Sequence, residues 1–217
     1  MSFTGKMISI SNRLTKKFRA KFYKDYPTSE FENKHIEHLV SLVNREELLH
    51  RLPKNAIVAE IGVHEGGFAE KILAITQPTK LILMDNWMLK SYPGLFEKVG
   101  KKFAKEIGTE KIQIIRELSF TGIQMTTDAY FDWVYLDTEH SYNVTRRELE
   151  LLRSKMKPGG IIAGHDYLIG NWNGGMRYGV IESVREFCLK YNWELLFLTH
   201  ELKIPPSFAI REIGYSK

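Results

Sequence analysis

Two short segments concentrate the reactive side chains of this chain. DTEHSY runs from 137 to 142, and GHDY from 164 to 167. Asp137, His140, His165 and Asp166 are residue types that bind divalent cations or move protons near neutral pH. Three readings are open at this point. Two carboxylates and an imidazole hold a metal, which lowers the pKa of a substrate hydroxyl and makes it a nucleophile. Or a histidine, with an ordinary pKa of roughly 6.5, takes the hydroxyl proton directly. Or the groups are structural: His140 and Tyr142 cap a helix, and Asp166 bonds its own loop.

A second chemistry-bearing stretch is VAEIGVHEGGF, 58–68. An apolar run stops at an acid, Glu60, and then turns through Gly62, Gly66 and Gly67. Glycine lets the backbone bend sharply and approach a ligand. The helical spacing that follows presents free N–H groups to an anion. The turn lacks the G-x-G-x-x-G of a pyrophosphate cradle, so a smaller anion such as an amino-acid carboxylate suits it better. Asp85 lies roughly 20 residues beyond this turn, after the apolar run KLILM; its two carboxylate oxygens can accept from both hydroxyls of a ribose.

The elements that must position these groups alternate. Apolar runs at 56–61, 80–84, 111–115, 131–136 and 161–164 read as strands, with helical spacing between them. Strand–helix alternation predicts an α/β fold with a parallel sheet and helices on both faces. Glu60, Asp85, Asp137 and Asp166 then share one edge of the sheet, where such folds bind ligands. The runs 193–199 and 207–211 have no helix between them and predict an antiparallel pair. Upstream, Phe31–Val43 has helical spacing at Ile36, Leu39, Val40 and Val43, and Asn44 with Glu47 predicts the capped start of a second helix. Gly94–Ile107 and Val180–Tyr191 also read as helices. The loop 168–176 is rich in Gly and Asn; with Trp172 it is expected as a lid, while Trp87 and Tyr92 are candidates for a pocket wall.

Composition narrows the class. At 217 residues and 43% hydrophobic the chain suits one globular domain. No apolar run approaches the roughly 20 residues of a membrane span. The lone Cys188, on the inner face of a helix, fits a core role and a reducing compartment, so a cytoplasmic location is expected. The net charge of +5 sits in an arm: residues 1–24 carry seven basic groups and no acid, which leaves 24 basic against 26 acidic groups elsewhere. The body therefore has no basic field for nucleic acid, and a small-molecule acceptor is the expected partner. A homo-oligomer is compatible with the sequence but not required by it.

These segments together resemble the class I S-adenosylmethionine-dependent methyltransferases, and within them methyltransferase family 24. EIGVHEGG is similar to that superfamily's first motif, LILMD to the segment whose acid holds the ribose, and DTEHSY with KPGG and GHDY to the family's D-x-x-H-x-Y and GHD pattern. Glu148 stands where the family usually has Asp. The resemblance implies a Rossmann-like domain over 56–217, behind a basic arm (1–30) and N-terminal helices (31–55). Its sheet would have seven strands, mostly parallel, with an antiparallel last strand. It implies cofactor contacts at Glu60, Gly62, Gly66, Asp85, Ser119 and Asp137, with catalysis at Asp137, His140, His165 and Asp166. Related catechol-type enzymes bind Mg2+ at positions corresponding to Asp137, His165 and Asp166, although His165 falls where they carry an acid. The expected reaction is O-methylation of a sugar or secondary-metabolite hydroxyl. An NAD-dependent oxidoreductase and a non-catalytic cofactor-binding module are the alternatives.

Overall fold

The computed structural model describes residue 16 and residues 26–88, 93–171 and 176–215. Strands β1 (Val40–Leu42), β2 (Ile57–Ile61), β3 (Lys80–Met84), β4 (Ile112–Ile115), β5 (Phe131–Leu136), β6 (Met156–Gly164), β9 (Trp193–Thr199) and β10 (Phe208–Glu212) form one sheet. Its order is β1-β9-β10-β6-β5-β2-β3-β4. β10 runs antiparallel to both of its neighbours, β6 and β9; every other pairing is parallel. A hairpin of β7 (Gly170–Asn171) and β8 (Met176–Arg177) stands apart.

The central strands are apolar on both faces because helices cover both. Val58, Trp133 and Tyr135 pack beneath α1 (Arg45–Arg51) and α2 (Gly67–Thr76). Ala59, Ile61, Val134 and Leu136 face α6 (Tyr142–Lys155) and α7 (Val180–Tyr191). Cys188 lies in this second core, its thiol pKa pushed up by burial. The smaller helices α3 (Leu95–Lys102), α4 (Ala104–Gly108) and α5 (Ser119–Gln124) join β3, β4 and β5.

The expected α/β architecture is present, with three differences. The sheet has eight strands, since β1 adds an edge beside β9. Phe31–Val43 is not a helix: it holds a 3-10 turn at Asn33–His35 and then β1. Leu39 of its apolar stripe packs on the second core, but Ile36, Val40 and Val43 are exposed, and the open edge of β9 captures the segment as a strand. The span 94–107 breaks at Phe103, whose ring is buried against Gly66. The antiparallel pair β9–β10 forms as expected, with β10 between β6 and β9. Residues 1–15 and 17–24 of the basic arm, Tyr92 and Trp172 lie outside the described residues.

Candidate active site

The turn after β2 is built by exclusion. Gly62 has φ +90°, and a Cβ there would lie 1.9 Å from the carbonyl oxygen of Asp137. Only glycine lets β2 and β5 end this close together. Gly66, at φ +74°, caps α2, and a Cβ on it would strike the Phe103 ring at 2.7 Å. Both positions are backbone necessities of the cleft wall.

Asp85 closes the same turn from the other side. Its Oδ2 accepts from the Val63 and His64 N–H groups at 2.9 and 3.0 Å, and its Oδ1 from Trp87 N–H at 2.8 Å. Trp87 in turn donates its indole N–H to the His64 carbonyl at 2.8 Å, so this tryptophan pins the turn and packs on Phe96. Oδ2 is filled by two amides and Oδ1 keeps one acceptor site. The carboxylate is thus first a clasp on the glycine turn. Asn86 lines the cleft next to it.

The cleft has a volume of about 510 Å³ and extends from Gly62 past Asp85 and Asn86 to Ser119 and Phe120, with Asp137 and Thr138 as its far wall. Beneath it, Glu148 of α6 is fully buried and accepts from the Thr138 hydroxyl at 2.9 Å through Oε2. The Ser119 hydroxyl faces the same carboxyl, whose Oε1 has no hydrogen-bond partner among the described residues. Burial pushes its pKa up to about 7, against the opposing pull of those two hydroxyls. Glu148 was noted in the sequence only as a family departure. Nothing in a Glu-rich helix distinguishes the one that turns inward.

Glu60 is 2% exposed, and its Oε2 has no hydrogen-bond partner among the described residues. Burial, reinforced by the negative charge of Asp137, raises its pKa well above the usual carboxylate range. An orphaned carboxyl oxygen of this kind calls for a donor from a ligand.

Asp137, His140 and Asp166 converge beyond it, each presenting one ligand atom within 4.8 Å of the others. His140 Nδ1 lies 3.2 Å from Asp166 Oδ2. His165 Nδ1 lies 3.0 Å from the same oxygen and 3.8 Å from Asp137 Oδ2. His165 Nε2 is buried without a hydrogen-bond partner among the described residues. His140 and Asp166 both hold left-handed backbone, φ +66° and +58°, a conformation that costs free energy and recurs at functional sites. The Gly179 N–H, donating to the His140 carbonyl at 2.8 Å, and the Tyr178 ring, 5.0 Å from the imidazole, keep His140 in place. Burial raises the Asp137 carboxyl while both imidazoles pull it back down.

Residues 59–167, half of the chain, match the family model Methyltransf_24, described as a methyltransferase domain. The chain belongs to this methyltransferase family. It is an S-adenosylmethionine-dependent enzyme of the class I fold. A SAM-dependent methyltransferase from Aquifex aeolicus is 13% identical and superposes with a TM-score of 0.58, over 84% of this chain and 94% of the other. SMU.1697c of Streptococcus mutans, solved with S-adenosylhomocysteine, is 14% identical with a TM-score of 0.56, covering 78% and 96%. The Bacillus subtilis tRNA methyltransferase TrmK is 14% identical with a TM-score of 0.57, covering 80% and 67%. At such identities the likeness speaks for the fold alone. No curated protein matches the chain.

The methyltransferase's cleft fits its donor: a turn that no side chain can fill, an orphaned buried carboxyl, and an acid beside Asn86. Magnesium fares differently. Mg2+ takes oxygen ligands in near-ideal octahedral geometry. Here one of the three converging groups is an imidazole, and Asp166 Oδ2 already faces two imidazole nitrogens. The donor set does not fit Mg2+. Among the described residues no helix is long and apolar enough to cross a membrane.

Proposed function

We propose that this methyltransferase methylates a hydroxyl oxygen of a small polar acceptor, such as a sugar or a secondary metabolite. The observation that carries this reading is the pairing of His140 Nδ1 with Asp166 Oδ2 at 3.2 Å on a partly exposed ring. In this reading Asp166 would hold the Nδ1 proton, leaving Nε2 as the lone pair that accepts the acceptor's hydroxyl proton. His165 bonds Asp166 from its other side, and Asp137, which lines the cleft, has an oxygen within 4.8 Å of ligand atoms of both His140 and Asp166. His140 is thus the general base, Asp166 its orienting partner, and Asp137 a positioning acid between the acceptor and the cleft.

Gly62, Glu60, Asp85, Asn86 and Ser119 would hold the donor, with Gly66 setting the N-terminus of α2. When bound, S-adenosylmethionine supplies an electrophilic methyl group, so the protein has chiefly to align the acceptor and remove its proton. The buried Glu60 carboxyl, its pKa raised by burial and by the charge of Asp137, offers an oxygen to an ammonium donor.

The test is transfer of labelled methyl groups to a panel of sugars, phenols and hydroxylated metabolites, with tRNA and rRNA as separate arms. An ether product at oxygen supports the reading. Methylation only of RNA, or only of nitrogen, would overturn it.

A further inference from the structure

The methionine end of the donor carries an ammonium and a carboxylate side by side. Glu60 and Asp137 answer the first. The second would sit among acids and needs a cation.

Arg45 is the first residue of α1, held there by the Asn44 cap, whose side chain accepts from Glu47 N–H at 2.8 Å. Its guanidinium carbon lies 4.6 Å from the centroid of the Phe68 ring. Phe68 is the second residue of α2, so the guanidinium overhangs the ten-residue helix whose free N–H groups open onto the glycine turn. It lies near Tyr135, whose hydroxyl bonds Ser207 Oγ at 2.8 Å, and its charge is felt by the carboxyls of both Glu60 and Asp137. Tyr135 is the register partner of Glu60 across β2 and β5. On this side the lysines among the described residues are paired: Lys71 with Glu46, Lys98 with Glu65 and Lys102 with Glu70. Among the described residues no carboxylate comes within 4.0 Å of the Arg45 guanidinium, and stacking on the Phe68 ring leaves its N–H edges open.

We infer that Arg45 takes the α-carboxylate of the donor, beside the first-turn N–H groups of α2. A guanidinium matches a carboxylate bidentately, and stacking on Phe68 preorganises the fork. The orphaned oxygen of Glu60, on the same face, is the independent sign that a charged ligand end is received here. The assignment rests on the adenosyl donor and not on the acceptor or the base, so it stands or falls separately from the O-methylation reading.

Binding of S-adenosylhomocysteine and of 5′-methylthioadenosine, which lacks the amino-acid end, separates the roles. Arg45→Met is expected to weaken S-adenosylhomocysteine roughly 10–100-fold, the range for a lost charged hydrogen-bond pair, and to leave 5′-methylthioadenosine within about twofold. Should Arg45→Met fail to fold, Arg45→Lys is measured against S-adenosylmethionine and its decarboxylated analogue; only the ligand with the carboxylate should lose affinity. An equal loss for both ligands would make Arg45 a support of the fold. Unchanged affinities with a raised acceptor KM would assign it to the acceptor. Either result overturns the inference.

Discussion

Replacing Glu148 with Gln separates burial from charge at the floor of the cleft. The carboxyl is raised from its ordinary 4.5 to about 7, chiefly by burial. An acid whose pKa rises on folding keeps its proton in the native state after the unfolded chain has lost it. Its contribution is therefore intact below about pH 4.5 and is lost as pH climbs through about 7. Complete ionisation costs the native state about 3 kcal/mol, of which about 2 kcal/mol falls between pH 5.5 and 8.5. Glutamine keeps the shape and an acceptor oxygen for Thr138 and Ser119 but cannot ionise. Urea unfolding of both proteins at pH 5.5, 7.0 and 8.5 reads the effect. Glu60 and Asp137 titrate equally in the two proteins, so the difference isolates residue 148. The variant is expected to gain about 2 kcal/mol on the parent across this range. A difference that stays flat within about 0.5 kcal/mol would refute the burial argument.

Other substitutions probe the cleft walls. Gly62→Ala places a methyl 1.9 Å from the Asp137 carbonyl at φ +90°; folding or donor binding should be lost, with a destabilisation of about 3 kcal/mol or more measured by thermal melting. Asp85→Ala should lower the melting temperature without any ligand, because three N–H groups lose their acceptor. An unaltered melt with weakened donor binding would mean that the acid serves the ribose alone. Chelation with EDTA should leave turnover intact, and titration with Mg2+ should give no heat, since the converging groups do not suit that ion. Metal-dependent turnover would restore the catechol-type reading.

The strands of the βα run were legible because each is a continuous apolar run closed by a polar residue. Their shared edge followed from parallel topology alone, and it does bring Asp137, His140 and Asp166 together. The N-terminal segment was misread for a physical reason. Ile36, Leu39, Val40 and Val43 have helical spacing, but a three-residue edge strand is decided by the neighbour it pairs with, and sequence spacing does not name that neighbour. The insertion of β10 beside β6 is likewise set by tertiary pairing. In the site, Asp85 was read as a ribose acid because its spacing fits; that its carboxylate returns to the turn depends on backbone amides that have no residue signature. Arg45 opens a helix legible from its Asn44–Glu47 cap, but only the fold sets its guanidinium over Phe68.

The rim of imidazole and carboxylate groups is tested most directly by His140→Ala, with turnover on a hydroxyl acceptor and S-adenosylhomocysteine affinity measured on the same samples. Turnover should fall about 10²–10⁴-fold, the usual worth of a general base, while the affinity stays within about twofold. Undiminished turnover, or a parallel collapse of affinity, would contradict the role given to this side chain.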